Sequence, residues 1–197
     1  MTYTNPLTIR NHLIDIETRA GSLLMELFGR DSLHVEYKDD KSPVTEADLK
    51  TQQFLLDELT RLFPAIPVVS EERTLSENRA AMADLFFIVD PLDSTKNFAS
   101  GIPFFDVSIA LVKDGVSVIG VVHDPVHRTT YAGVRGIGAW RNGQPIHTRQ
   151  CNQLADADLD MNVTRLPPGR IGASRLTWLL PLRKSDTLGA QYSRDVG

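Results

Sequence analysis

The sequence is poor in cysteine and has no long apolar segment. Its 197 residues include one cysteine, Cys151, which excludes a disulfide within the chain and suits a reducing compartment. No window reaches the ~18 consecutive apolar residues of a membrane span, and the first residues lack a basic start followed by an apolar stretch. We therefore expect a cytoplasmic protein with no membrane partner.

Excess positive charge is also missing. The chain has 21 lysines and arginines against 25 aspartates and glutamates, a formal net charge of -4. No basic run forms a stripe that could follow a phosphate backbone, so a nucleic-acid polymer is not an expected partner. A small anionic substrate remains possible where cations or backbone amides offset the acids. With 42% hydrophobic residues, the chain can form a globular core.

Apolar spacing predicts two helices in the first third of the chain. One begins after Asn5-Pro6 and stops at Gly29, and the other begins at Thr45 and stops before Pro64. The polar segment 31–44 between them is expected to be a surface loop. The first helix would bury a stripe formed by Leu13, Ile16, Ala20, Leu23, Leu24 and Leu27.

The pattern changes to strands after the second helix. The segments "PVVSEE" (67–72) and "LFFIVD" (85–90) are short apolar runs that both end in acid, and later residues alternate around the turns 113–115 and 142–143. We predict an α+β fold in which the N-terminal helices pack on an antiparallel sheet. Residues 1–150 would form this domain, and in residues 151–197 the chain would stop in mid-fold.

Asp90 and Asp93 lie in the segment "VDPLDSTKNF" at the end of the more apolar strand. A desolvated carboxylate needs a partner, and each of these acids adds charge of the same sign to the other. A hard divalent cation would resolve the conflict, because only oxygen ligands are offered; Mg²⁺ is the first choice and Mn²⁺ the second. The alternative is a purely structural turn, since Asp-Pro and Asp-Ser pairs commonly form turns.

Hydroxyl groups follow these acids directly. Ser94 and Thr95 could open a short helix whose amides would bind an anion such as phosphate. Glu71, at the other strand end, could reach the same place. Asp48, in the first turn of the second helix, could hold the hydroxyl of Thr95.

These segments resemble the signature motifs of the inositol monophosphatase superfamily, which comprises lithium-sensitive, magnesium-dependent phosphatases. "VDPLDSTKNF" resembles D-P-[IL]-D-G-T-x-N-F, and the resemblance extends from about residue 41 to 147 through "KSPVTEAD", "PVVSEE", "GIPFFDVSIAL" and "GIGAWRNGQPI". It implies a layered α/β sandwich whose C-terminal α/β half is incomplete in this chain.

The resemblance also implies a set of site residues. About two or three Mg²⁺ ions are expected, with Mn²⁺ possible, and the implied metal ligands are Glu71, Asp90, the Leu92 carbonyl and Asp93. The residues implied in catalysis are Asp48, Thr95 and Glu71. Substrate phosphate would contact the amides of Ser94 and Thr95, and Lys41 would close over the site.

Two departures from the family pattern qualify the expected function. Ser94 stands where the family usually has glycine, and no W-D-x-A-A motif supplies the aspartate that completes the second metal site. We expect a Mg²⁺-dependent phosphomonoesterase for a small phosphorylated polyol, inositol monophosphate first, and a possible homodimer. The alternatives are a 3'(2'),5'-bisphosphate nucleotidase, a fructose-1,6-bisphosphatase, a histidinol-phosphatase, or a truncated relative that binds metal without catalysis.

Overall fold

The computed structural model describes residues 5–29, 35–37, 43–73, 76, 83–150 and 152–153. One compact unit spans Met1–His147. Lys41 and nearly all of the predicted second domain lie outside the described residues, so those expectations stay predictions. Among the described residues no helix has both the length and the apolar character needed to cross a membrane.

Both predicted helices are present. Helix α1 spans Pro6–Leu27, and the Asn5 side chain accepts a hydrogen bond from the Leu7 amide at its start. Helix α2 spans Glu46–Leu62 and begins with a capping box between Thr45 and Asp48, which satisfies amide groups that the helix itself leaves open. The capping box fixes the Asp48 carboxylate in the first turn of α2.

The expectation of a simple loop over residues 31–44 is wrong in part. Strand β1 (Val35–Tyr37) pairs antiparallel with strand β2 (Pro43–Thr45). Valine, threonine and tyrosine favour extended backbone, and the pairing of the two strands gives their backbone N–H and C=O groups hydrogen-bond partners that water would otherwise supply.

A seven-stranded sheet follows the chain order of its strands. Strand β3 pairs parallel with β4, and every later pair is antiparallel, so the sheet is mixed rather than wholly antiparallel. A five-residue helix, α3 (Thr95–Ala99), separates β4 from β5. The strands are β3 (Val68–Ser70), β4 (Leu85–Asp93), β5 (Asp106–Lys113), β6 (Val116–Asp124), β7 (Thr129–Val134), β8 (Gly138–Arg141) and β9 (Gln144–Ile146).

The helices cover one face of this sheet, which confirms the α+β class. Val107, Ile109 and Leu111 are buried towards the core, whereas the alternating Ser108 and Ala110 are only partly buried. This alternation is the pattern of strands with one packed face. Below the sheet, the aromatic rings of Phe28, Phe98 and Phe105 contact one another and join the end of α1 to α3 and the start of β5.

The strand directions place several chain segments at one edge of the sheet. Strands β3 and β4 are parallel, and β5 is antiparallel to both β4 and β6. The C-terminal ends of β3, β4 and β6 therefore lie beside the N-terminal end of β5, and this row of strand ends forms one edge of the sheet. Every acid proposed as a metal ligand comes from this edge.

Candidate metal and phosphate site

Glu71 and Asp90 are neighbours at the edge of the sheet. Ser70 is paired with Val89 in the parallel ladder, and the Glu71 amide donates to the Val89 carbonyl at 3.3 Å. The residue that follows each of these partners is an acid, so the two carboxylates are adjacent. The structure thus brings together the acids that the sequence placed at two separate strand ends.

This arrangement changes the pKa of Asp90. The pKa of Asp90 is raised to about 7, chiefly by burial and then by the nearby charges of Glu71 and Asp93, while a hydrogen bond from the Leu92 amide acts in the opposite direction. That amide lies 3.1 Å from Asp90 Oδ1. A carboxylate so destabilised as an anion favours either a proton or a cation beside it.

The turn after Asp90 interrupts the ladder and redirects the chain. The register between β4 and β5 shifts between Asp90 and Asp93, as in a β-bulge, and Pro91 and Leu92 between them are buried. Asp93 is exposed on the far side of this irregularity. A bulge re-aims side chains at a sheet edge, and here it presents a second aspartate to solvent close to the first.

Asp106 adds a further acid that the sequence analysis did not assign to the site. It is the ladder partner of Asp93. The pKa of Asp106 is raised to about 6, chiefly by burial and then by the charges of Asp93 and Asp124. The signal that could have identified it is its position at the start of the strand antiparallel to β4, which puts it at the same edge.

A hydrogen bond joins Thr95 to Asp48. The Thr95 hydroxyl lies 2.9 Å from Asp48 Oδ1 and 3.2 Å from the Leu92 carbonyl oxygen. Asp48 Oδ2 accepts from the Thr45 amide at 2.7 Å and from the Thr45 hydroxyl at 2.6 Å. Asp48 is fully buried, so these contacts hold its carboxylate in one orientation. The contact expected between Asp48 and Thr95 is therefore present; their catalytic roles remain predictions.

Ser94 adopts an unusual backbone conformation at the start of α3. Its φ of 69° and ψ of 46° lie in the left-handed region that glycine adopts without steric cost. Its carbonyl accepts from the amides of Asn97 and Phe98 at 2.9 and 3.2 Å. The sequence departure at this position thus falls where the backbone favours glycine.

The donor atoms of the proposed metal ligands are all oxygens. Among the described residues no three histidine, cysteine, aspartate or glutamate side chains are close enough to form a cation site by themselves. Mg²⁺ commonly takes one or two carboxylates and completes its coordination with water and substrate phosphate. The pair Glu71 and Asp90, with Asp93 and the Leu92 carbonyl beside it, fits that type of donor set.

An open depression lies beside the acid pair on the face of the sheet away from the helices. Its volume is about 540 Å³, and Glu71, Asp90 and Ser108 line one part of it while Ala110 and Gly120 contribute to its apolar floor. The size is within the range of small-molecule sites.

Comparison with known proteins agrees with these observations. The model of the "Inositol monophosphatase family" matches residues 5–167. A 3'(2'),5'-bisphosphate nucleotidase CysQ of Aggregatibacter actinomycetemcomitans is 36% identical over 82% of this chain. Inositol monophosphatase 3 of Solanum lycopersicum is 34% identical over 73% of it. A Thermotoga maritima inositol monophosphatase structure superposes with a TM-score of 0.66 at 34% identity over 74% of the chain.

These relatives are longer than the chain. The matched part covers 59% of the nucleotidase, 54% of the tomato enzyme and 56% of the Thermotoga structure. The chain thus spans between half and three fifths of the length of these proteins.

Proposed function

Because the chain belongs to the inositol monophosphatase family, we propose that it is a Mg²⁺-dependent phosphomonoesterase acting on a small phosphorylated metabolite. The observation that carries this proposal is the meeting of Glu71 and Asp90 beside the hydrogen-bonded pair of Thr95 and Asp48. Oxygen donors and a fixed hydroxyl within one edge of a sheet suit hydrolysis of a phosphate ester.

We assign the metal to Glu71, Asp90, Asp93 and the Leu92 carbonyl. Bound Mg²⁺ would supply charge neutralisation for the phosphate and acidify a water at neutral pH. The raised pKa of Asp90 supports this assignment, because a divalent cation would offset both the burial of that negative charge and its repulsion by Glu71 and Asp93.

Thr95 and Asp48 would orient the attacking water. The Thr95 hydroxyl donates a hydrogen bond to Asp48 Oδ1, so the lone pairs of that hydroxyl are left to accept a hydrogen bond from water. Asp48 cannot swing away, since its other oxygen is held by two groups of Thr45. The amides of Ser94 and Thr95, at the start of α3, would receive the phosphate oxygens.

For the substrate, we propose a phosphorylated polyol, with inositol monophosphate as the first candidate. A 3'(2'),5'-bisphosphate nucleotidase is the second candidate, because a relative with that name is 36% identical over 82% of the chain. The exposed Lys96, next to the proposed phosphate site, is compatible with a second phosphate on such a substrate.

A different class of function is a relative that binds metal without turnover. The observation that favours it is Ser94, whose side chain stands at a left-handed backbone position and would crowd a phosphate drawn close to that backbone. The two hypotheses share the metal site and differ in phosphate release.

Phosphate release from a substrate panel would separate these hypotheses. The panel comprises inositol 1-phosphate, 3'-phosphoadenosine 5'-phosphate, fructose 1,6-bisphosphate and histidinol phosphate, each with Mg²⁺, with Mg²⁺ and Li⁺, and with chelator. Asp93→Asn tests the site, and Asp114→Asn is the matched control, since Asp114 occupies an exposed turn at the opposite end of β5.

The phosphatase proposal expects release that requires Mg²⁺, falls with Li⁺ and persists in Asp114→Asn. In Asp93→Asn, release should fall by at least the about 10–100-fold that is typical when a partner of a metal ligand is lost. Mg²⁺ binding by calorimetry without release of phosphate from any substrate would instead support the non-catalytic alternative. Release that is unaffected by chelator would contradict both hypotheses.

A further inference from the structure

Helix α2 places Gln52 one turn after Asp48. Gln52 is partly buried, and its Oε1 accepts a hydrogen bond from the Ser70 hydroxyl at 2.6 Å. Ser70 is fully buried at the end of β3. A buried hydroxyl that loses its acceptor is costly, so this contact restrains the separation between α2 and the end of β3.

The restraint acts one residue before a proposed metal ligand. Ser70 immediately precedes Glu71, and in the described part of the sheet β3 is an edge strand of three residues paired only with β4. Beyond the strand, the Glu71 amide makes a long 3.3 Å contact with the Val89 carbonyl. A short edge strand supplies little rigidity of its own. A side-chain tether at Ser70 therefore contributes to where Glu71 lies.

The same helix contacts the other half of the site. Asp48 and Gln52 are four residues apart and so project from one side of α2. Asp48 holds Thr95 at 2.9 Å, just after the Asp90 to Asp93 turn, and Gln52 holds Ser70, just before Glu71. The two hydrogen bonds thus attach both acid-bearing segments to one rigid element.

We propose that Gln52 is a positioning residue that sets Glu71 at the distance from Asp90 needed for divalent cation binding. The inference rests on the proposed metal-dependent function. Partners that orient metal ligands typically change metal affinity by 10–100-fold when they are lost. Without the hydrogen bond between Gln52 and Ser70, we expect the metal affinity to be about tenfold weaker. Turnover should recover at saturating metal.

Mn²⁺ binding to the full chain, followed by electron paramagnetic resonance of the free ion, measures this effect directly. The variants are Gln52→Leu, Ser70→Ala and their combination, which together form a double-mutant cycle. Gln53→Leu is the matched control, because it makes the same substitution on the exposed side of α2, where the Gln53 side chain donates a hydrogen bond to Asp57. Gln52→Glu keeps an oxygen acceptor for the Ser70 hydroxyl.

The positioning role predicts about tenfold weaker Mn²⁺ binding in each single variant and no further loss in the double variant. Gln53→Leu should bind like the unmodified chain, and Gln52→Glu, which keeps the acceptor and adds a negative charge, should show no loss of affinity. If Gln52→Leu does not fold by circular dichroism, Ser70→Ala alone decides, and unchanged Mn²⁺ affinity in that variant overturns the inference.

The result separates the two proposals. An unmodified chain that binds no Mn²⁺ overturns the proposed function and, with it, the role of Gln52. An unmodified chain that binds Mn²⁺, together with folded Gln52→Leu of equal affinity or with strictly additive losses, overturns the positioning role alone.

Discussion

Replacing Asp90 by asparagine should stabilise the metal-free protein while it removes metal binding. Asparagine keeps the shape and the contact with the Leu92 amide but removes a negative charge from beside Glu71. A pKa raised from 3.8 to about 7 corresponds to roughly 4 kcal/mol of lost stability at alkaline pH. Because Asp90 keeps partial access to water, solvent screening reduces the expected gain to about 2 kcal/mol.

The sign of the pH dependence follows from the direction of the shift. The folded state holds the Asp90 proton more tightly than the unfolded state, so its contribution to stability is complete at low pH and is lost as the pH rises towards 7. The advantage of Asp90→Asn should therefore grow between about pH 4 and pH 7 and stay constant above. At pH 8 it corresponds to a melting temperature about 4–8 °C higher.

Addition of Mg²⁺ should reverse the order of stability. A ligand at 100 times its dissociation constant stabilises the folded state by about 2.7 kcal/mol, and Asp90→Asn should gain much less because a ligand is missing. Thermal melts at pH 8 with chelator and with Mg²⁺ make the comparison, with Asp114→Asn as the control. An Asp90→Asn protein that is less stable than the unmodified chain under chelator, or that gains equally from Mg²⁺, would refute the assignment of Asp90 as a metal ligand.

Three further predictions concern groups around the core and the site. Glu17→Leu should raise the free energy of unfolding by about 1–3 kcal/mol, because the Glu17 carboxylate is fully buried and burial raises its pKa. Urea titration should show a gain that increases with pH, and a loss of stability would contradict this. Ser94→Gly should stabilise the protein by about 0.5 kcal/mol because it relieves the positive φ. Ser100→Gly, at a φ of -89°, should destabilise the protein, and equal effects of the two variants in calorimetry would contradict this. Gly21→Ala should destabilise the protein by about 1–3 kcal/mol, since the added Cβ would lie 2.5 Å from the ring of His123. Gly133→Ala has open space around the added Cβ and should be tolerated, so comparable melting temperatures for the two variants would contradict this.

The sequence predicts the elements of this fold well where the apolar pattern is long and bounded by caps. Helix α1, with its stripe from Leu13 to Leu27, and helix α2, with its Thr45 cap, lie where the pattern places them. The hairpin turn at Asp114 and Gly115 is equally local, because both residues adopt the positive φ that such turns require. Properties set by neighbours within a few residues are readable from the sequence.

Features that depend on pairing between distant segments are less readable. The parallel pairing of β3 with β4 is what makes Glu71 adjacent to Asp90, and nothing in "PVVSEE" specifies that direction. Asp106 and the Gln52 to Ser70 contact depend on sheet register and on helix placement in the same way. The acid at each strand end indicated that Glu71 could reach the turn after Asp90, and the family resemblance then implied that the two share a metal site.

A buried acid with a raised pKa does not by itself mark a functional site, and this chain contains the comparison that shows why. The pKa values of Glu17 and Asp90 are both raised chiefly by burial. Glu17 is enclosed between α1 and the sheet, with no exposed surface, so a hydrated cation has no path to it. Asp90 lies at a sheet edge where separate segments contribute further acids and where the chain opens to solvent. Convergence of segments and access to water, added to desolvation, distinguish a candidate metal ligand from an uncompensated core acid.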